Sequence, residues 1–302
     1  MFTLAYLSDP HIAPLPAPLM RHLLSKRIFG YINWRASRKN IHDRRILDAI
    51  TQDMAAQGAD HIAVGGDLVN LALPDEFTGA HEWLRTLGTP EQVSVIPGNH
   101  DAYVPLDHDT GFGQWMAYMT TNVSDVQPPP SGTGDFPYIR QFERVALVGL
   151  SSAVPKPPFI ASGKLGAEQI ATLNGILQDL GQRDMFRIVM VHHPPLQGLS
   201  GKRRGLDDVQ ELEEVLQAAG AELVLYGHRH VHALDTLACD PPAPVVGAAS
   251  ASSSHDSIDK QARYYLFRIW RKGKAWKCEM TVRGLTSAGG SVTALEKQML
   301  MG

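Results

Sequence analysis

Val93-Ser94-Val95-Ile96-Pro97-Gly98-Asn99-His100-Asp101 decides how this chain is read. Its first half is a short, apolar, largely β-branched run, the pattern of a buried strand. Pro97-Gly98 ends that strand, since proline gives no donor to a ladder and glycine permits a sharp turn. An amide, an imidazole and a carboxylate follow at once. Open α/β sheets place their sites where functional groups leave the end of a buried strand. Alone, Gly-Asn-His is a common turn. It carries weight here because the same event recurs along the chain.

Phe2 to Leu7 stops at Ser8-Asp9-Pro10-His11, where the two ligand-type side chains sit two residues apart and project to one side of an extended backbone. That is either a two-ligand pincer for a metal or a turn with an Asx cap. His61 to Val64 stops at Gly65-Gly66-Asp67, where the glycines leave room for close approach to the backbone. Arg187 to Val191 stops at His192-His193-Pro194-Pro195, and Leu223 to Tyr226 at Gly227-His228-Arg229-His230. Five strand ends thus present Asp9, His11, Asp67, Asn99, His192, His228 and His230, all oxygen or imidazole donors with no sulfur. Seven donors exceed one four-coordinate zinc and suit two adjacent metals bridged by a shared carboxylate. A His/carboxylate mixture suits Mn, Fe or Zn better than Ca or Mg.

The rest of the chain supplies a scaffold. With 302 residues, 44% hydrophobic and 20% charged, it can bury a substantial core. A net charge of -3 argues against a nucleic-acid partner. No apolar run is long enough to span a bilayer, the N-terminus reads as a strand and not a signal peptide, and only Cys239 and Cys278 are present. These features point to a reducing, cytoplasmic setting. Helices are expected over 43–57, 74–88, 167–181 and 207–219, a hairpin at Tyr138–Phe142 and Val145–Leu150, and a long loop over 105–135 around a short helix. Short strands follow from Ala233, with a frayed tail from about 285. Without an internal repeat or linker, one domain over 1–302 is the expectation.

One segment stands apart. From Pro10 to His42 there is no acid, while Arg21, Lys26, Arg27, Arg35, Arg38 and Lys39 are all basic. Leu19/Leu23 and Met20/Leu24/Ile28 recur at i, i+4 after Pro18, and Phe29, Tyr31 and Trp34 follow. The insertion, about 14–42, is either an interfacial helix contacting an anionic membrane surface through Leu24, Lys26, Arg27 and Trp34, or a helix docked on the domain with its cations in water.

The blocks Asp9-Pro10-His11, Gly66-Asp67, Gly98-Asn99-His100, His192 and Gly227-His228-Arg229-His230 together resemble the calcineurin-like metallophosphoesterases, in that family's order. The resemblance implies a four-layer α/β/β/α sandwich of two mixed sheets flanked by helices. It also implies Asp9, His11, Asp67 and His230 on one metal, and Asp67, Asn99, His192 and His228 on the other, with His193 supporting them from behind.

Two metals about 3.5–4 Å apart can hold a bridging hydroxide and orient a phosphoryl group, so direct water attack is expected. His100, not needed as a ligand, is free to bind the scissile phosphate or protonate the leaving oxygen. Asp101 either fixes the His100 tautomer or is a solvated turn carboxylate. Lys202, Arg203 and Arg204 follow His192 and are expected to bind substrate at the mouth of the site. The Gly-Asn-His-Asp form looks like the bacterial phosphodiesterase branch, and the basic insertion looks like that of phospholipase C-type members. The favoured substrate is therefore a membrane glycerophospholipid head group, with peripheral attachment to the inner membrane face. A soluble cyclic-nucleotide or glycerophosphodiester phosphodiesterase is the alternative, and a non-catalytic metal-stabilised scaffold a second.

Overall fold

Strands β1 (Phe2–Leu7), β2 (His61–Val64) and β3 (Val93–Val95) run parallel at one edge of a six-stranded sheet. The structure, a computed structural model, describes residues 1–123, 136–286 and 290–302. A second six-stranded sheet begins with the expected hairpin, β4 (Tyr138–Phe142) and β5 (Val145–Gly149). It continues through the parallel strands β6 (Phe186–Met190) and β7 (Leu223–Tyr226). β8 (Ala233–Leu237) and β9 (Ala243–Gly247) close it in the order β4-β5-β6-β7-β9-β8. The chain then returns to the first sheet, where β10 (Arg263–Lys272) pairs antiparallel with β1, and β11 (Ala275–Leu285) with β10.

Strand alternation builds the layers. Leu147, Ile188, Met190, Leu223, Leu225 and Val246 join Leu4, Tyr6, Val64, Val95, Tyr265 and Phe267 in one core shared by both sheets. Their neighbours Ala146, Val148, Val189, Val191, Val224 and Val245 face the other way, against the buried stripes of α5 (Ala167–Gln182) and α6 (Val209–Ala219). The α3 (Arg44–Ala56) and α4 (Pro74–Leu87) helices bury Leu47, Ile50, Phe77 and Leu84 in the shared core. Each such side chain contributes roughly 1.5–3 kcal/mol when taken from water. The Tyr138 hydroxyl donates to the Val95 carbonyl at 2.8 Å, which ties one sheet to the other close to the Pro97-Gly98 turn. The result is the four-layer α/β/β/α sandwich, with two mixed sheets flanked by helices.

Two expectations change. The tail expected to fray beyond about 285 contains a strand, β12 (Val292–Met301), paired antiparallel with β11 at the sheet edge. Its half-polar alternation hides it, because an edge strand with an exposed face needs no apolar run. The helix expected from Pro18 breaks at Ser25 into α1 (Met20–Leu23) and α2 (Arg27–Ala36), followed by a 3-10 turn at Arg38–Asn40. Neither helix has a buried residue. The loop expected over 105–135 carries a 3-10 helix at Phe112–Met119, and its residues 124–135 lie outside the described residues.

Candidate active site

The turns beyond β1, β2 and β7 are held in left-handed backbone conformations at their ligand-type residues. Asp9 (φ 52°), His11 (36°), Asp67 (56°), His228 (66°) and His230 (53°) all have positive φ. Non-glycine residues avoid that region, and a cluster of them marks a place where the fold tolerates strain to aim side chains. The Asp9 N–H donates to Gly66 O and the His11 N–H to Asp67 O, each at 3.0 Å, so the first two turns are fastened together. Gly66 has φ 96°, and a Cβ on it would sit 2.7 Å from the Gly98 nitrogen and 2.8 Å from His192 Nδ1. Only glycine fits there.

Asp101 is the fastener of these turns. Its buried carboxylate accepts the N–H groups of Asp67, Leu68, Val69 and Gly98 at 2.9, 2.9, 3.0 and 2.8 Å. Burial and the neighbouring Asp67 push its carboxyl up, but two amide donors on each oxygen leave no place for a proton and hold it ionised. Asp101 is thus neither a solvated turn carboxylate nor the partner of the His100 ring. It positions Asp67 through its own N–H and the Asn99 turn through the N–H of Gly98. His100 finds its partner elsewhere: Nδ1 lies 2.6 Å from the Asn70 carbonyl. Buried Glu76 holds that carbonyl in place by accepting the N–H groups of Asn70 and Leu71 at 2.7 and 3.0 Å.

All seven strand-end donors converge. Asp9, His11, Asp67 and His230 can each bring one donor atom within 4.8 Å of the others, and so can Asp67, His192 and His228. In the first group His11 Nε2 stands 3.2 Å from His230 Nε2 and 3.6 Å from Asp67 Oδ2, and His230 Nε2 stands 3.2 Å from Asp9 Oδ1. In the second, Asn99 Oδ1 lies 2.8 Å from His228 Nδ1 and 3.3 Å from His192 Nε2, which is 3.3 Å from Asp67 Oδ2. Asp67 belongs to both.

These donors fit a pair of metal ions. Ligands about 2.0–2.2 Å from a tetrahedral ion lie roughly 3.3–3.6 Å apart, close to the spacings found. Metal-binding imidazoles donate their other N–H to a fixed acceptor. His11 Nδ1 does so to Val69 O at 3.1 Å, and His192 Nδ1 to Gly65 O at 2.7 Å. The charge states agree. Burial, then the Arg38 charge, holds His11 well below its usual range, and burial with His192 lowers His228 to about 3, so both are neutral donors near pH 7. Against the cost of burial, Asp67 and Asp9 pull His192 up to about 10, the mark of a site that attracts positive charge. His193 lies behind, its Nδ1 2.7 Å from Ser152 Oγ and its Nε2 3.1 Å from Ala161 O.

The acid-free insertion forms a roof over this cluster. A cavity of about 640 Å³ runs from Asp67, Asn99, His228 and His230 to the underside of α2, where Phe29, Gly30, Asn33 and Trp34 line it. Several expected roles change here. Lys26 does not face outward: its Nζ reaches the Lys156 carbonyl and sits 4.2 Å from the Tyr103 ring centre. Arg27 donates to the Leu71 and Ala72 carbonyls. Both cations moor the roof to the domain. Trp34 lines the cavity and stacks on Tyr31, whereas Leu24 is exposed. Of Lys202, Arg203 and Arg204, only Arg204 lines the cavity.

Sequence reasoning overlooked Arg38, whose Nη1 lies 2.8 Å from Nε2 and 3.3 Å from Nδ1 of His100, and whose Nη2 lies 2.9 and 3.1 Å from the same atoms of His11. Nothing local distinguishes it from the five other cations of its segment. Asn70, Lys156, Arg229, His255 and Lys260, all facing the cavity, carried no signal either.

A calcineurin-like phosphoesterase family model matches residues 2–232. The chain is 27% identical over 195 residues to the glycerophosphodiester phosphodiesterase GpdQ of Enterobacter lignolyticus, a match spanning 64% of this chain and 57% of that relative. In fold it is similar to a dimetal phosphatase from Danio rerio, with a TM-score of 0.65 at 12% identity over 99% of this chain and 98% of the other. It is also similar to a purple acid phosphatase from yellow lupin (Lupinus luteus) seeds, with a TM-score of 0.60 at 12% identity over 99% and 53%.

Proposed function

The chain belongs to the calcineurin-like phosphoesterases, metal-dependent hydrolases of phosphoric esters, and from that premise we propose that it hydrolyses phosphodiesters of the glycerophospho class beneath α2. The cavity lining carries the reading. It contains Lys26, Arg38, Lys156, Arg204, Arg229 and Lys260 but only one carboxylate, Asp67. Phe29, Trp34, Tyr103 and Phe159 stand among the cations, giving an amphiphilic alcohol apolar surface to lie on. The GpdQ likeness supports the same substrate class.

In this reading Asp9, His11, Asp67 and His230 hold one metal, and Asp67, Asn99, His192 and His228 the other. When bound, the two ions supply Lewis acidity and a water acidic enough to attack phosphorus. Asp67 Oδ1 accepts the His100 N–H at 2.7 Å, which couples the shared carboxylate to the Asn-His turn. The His100 ring, turned by Asn70, presents Nε2 to the cavity and serves the leaving oxygen.

A second reading places the diester in a membrane glycerophospholipid. The observation favouring it is the outer side of the roof, where Met20, Leu24 and Ile32 are 78, 85 and 58% exposed. No helix among the described residues is long and apolar enough to cross a membrane, so contact would be at the surface. The test is metal-supplemented hydrolysis of a glycerophosphodiester, cyclic AMP and phospholipid vesicles in parallel. Preference for the glycerophosphodiester is expected. Preference for vesicles favours the second reading, and preference for cyclic AMP overturns both.

A further inference from the structure

Arg38 is the residue by which the inserted roof reaches the chemistry: we propose that its guanidinium clamps the scissile phosphoryl group, bridging the metal side and the leaving-group side of the site. The proposal rests on the phosphoester-hydrolase reading above. The two arms of the guanidinium are directed at two different parts of the machinery. Nη2 addresses His11 Nε2 at 2.9 Å, in the donor cluster, and Nη1 addresses His100 Nε2 at 2.8 Å, beside the leaving group. The His11 and His100 rings are T-shaped with centroids 5.0 Å apart, so one planar fork spans both.

The partners are imidazole rings, not carboxylates. Nη1 lies 2.8 Å from Nε2 and 3.3 Å from Nδ1 of His100, and Nη2 lies 2.9 and 3.1 Å from the same atoms of His11, so the fork rests against both rings, whose Nδ1 atoms face the Val69 and Asn70 carbonyls. Among the described residues no carboxylate forms an ion pair with Arg38. A guanidinium keeps its charge at any physiological pH and offers five donors in a rigid plane, a geometry matched to phosphate oxygens. Neither ring supplies a counter-charge to the guanidinium. With a metal held by His11, the guanidinium beside it would be stabilised by an anion between the two positive groups. A phosphoryl oxygen is that anion, and two parallel N–H···O bonds follow.

The backbone is prepared for the task. Ile41 and Ser254 fasten the far side of the 3-10 turn, with Ser254 N donating to Ile41 O at 2.8 Å and Ser254 Oγ to Asn40 O at 2.9 Å. On the near side, Arg27 is bonded to Leu71 and Ala72. Little freedom is left to lose when substrate arrives, which is the condition for a clamp to act on the transition state.

The experiment compares metal-loaded wild type with Arg38→Ala, Arg38→Lys and the exposed control Arg35→Ala. Metal content, melting temperature, calorimetric binding of inorganic phosphate, and kcat/KM on a phosphodiester are read for each. Arg38→Ala is expected to keep its metal and melting temperature, to bind phosphate at least tenfold more weakly, and to lose on the order of 10²–10³ in kcat/KM. Added guanidinium should restore part of that loss, Arg38→Lys should retain part of the function as a point charge, and Arg35→Ala should match wild type. Phosphate affinity unchanged in Arg38→Ala overturns the clamp. So does a loss of activity that guanidinium leaves untouched and that tracks a fall in melting temperature or metal. If wild type hydrolyses no phosphoester, the parent reading fails by itself, and phosphate calorimetry still decides for Arg38.

Discussion

His100 Nδ1 lies 2.6 Å from the Asn70 carbonyl oxygen, and that one bond decides which nitrogen of the ring is left for the cavity. A carbonyl only accepts, so the proton sits on Nδ1 and Nε2 faces the cavity. Burial and the Arg38 charge lower this imidazole to about 4, leaving it neutral near pH 7 in the absence of an anion. In the proposed reaction, a bound phosphodiester would offset Arg38 and favour a second proton for the ring to deliver. The carboxylate next to it in sequence, Asp101, has no part in this.

His100→Ala should therefore separate chemistry from metal binding. Metal content is expected to stay at the wild-type level while turnover falls by on the order of 10²–10⁴. The loss should shrink for a nitrophenyl leaving group, which needs little protonation. Equal losses for good and poor leaving groups would remove the general-acid role and leave only phosphate binding.

Asp67 is the residue common to both donor groups. Asp67→Ala is expected to empty both metal positions, and Asn99→Ala chiefly the one shared with His192 and His228. Elemental analysis checks this directly. Two metals per chain retained in Asp67→Ala would end the bridging assignment.

The part of the site legible in the sequence is the part that rides on strand ends. Asp9, Asp67, Asn99, His192 and His228 each follow a short apolar run, and a parallel sheet brings such ends together once the register is set. Hence the ligand cluster is legible in the sequence, and the sandwich follows only from the family resemblance that the cluster carries. Arg38 and Asn70 could not, because neither follows a strand: one is delivered by the roof and the other by a turn that Glu76 organises. The direction of Lys26 and Arg27 was hidden for a related reason. Their partners are backbone carbonyls, which any sequence supplies. β12 escaped because edge strands with exposed faces lack the apolar signature.

Away from the site, His61 predicts how stability responds to acid. Its ring lies 2.8 Å from Ser94 Oγ and packs on Phe142, and burial followed by the Arg140 charge lowers it to about 3. An unfolded histidine titrates near 6.5. Between these values the unfolded chain binds one more proton than the folded one, so stability falls as pH drops from about 6.5 toward 3. The slope from this group is about 1.4 kcal/mol per pH unit. Denaturant melts of wild type and His61→Gln across that window check it. The variant should start less stable near pH 7 and lose less on acidification, and parallel curves would clear His61.

The roof offers the last prediction, and its two sides separate the two substrate readings. Its inner side is mooring: Lys26 and Arg27 hold the carbonyls of Lys156, Leu71 and Ala72. Reversing both to Glu should lift α2 from the cavity and depress activity on every substrate, vesicles and soluble diesters alike, since like partial charges would then face each other. The outer side is exposed, with Met20, Leu24 and Ile32 bare of any core and Arg21, Arg35 and Lys39 nearby in sequence. Met20→Ser, Leu24→Ser and Ile32→Ser combined should leave folding and soluble-diester hydrolysis unchanged, because no core packing is removed. If this side rests on lipid, the same variant should lose co-sedimentation with anionic vesicles. Wild-type binding should also weaken as salt rises, because surface charge attraction is screened over about 8 Å at physiological ionic strength. Wild type that fails to sediment with anionic vesicles at low salt would exclude the lipid surface and leave the soluble glycerophosphodiester as substrate.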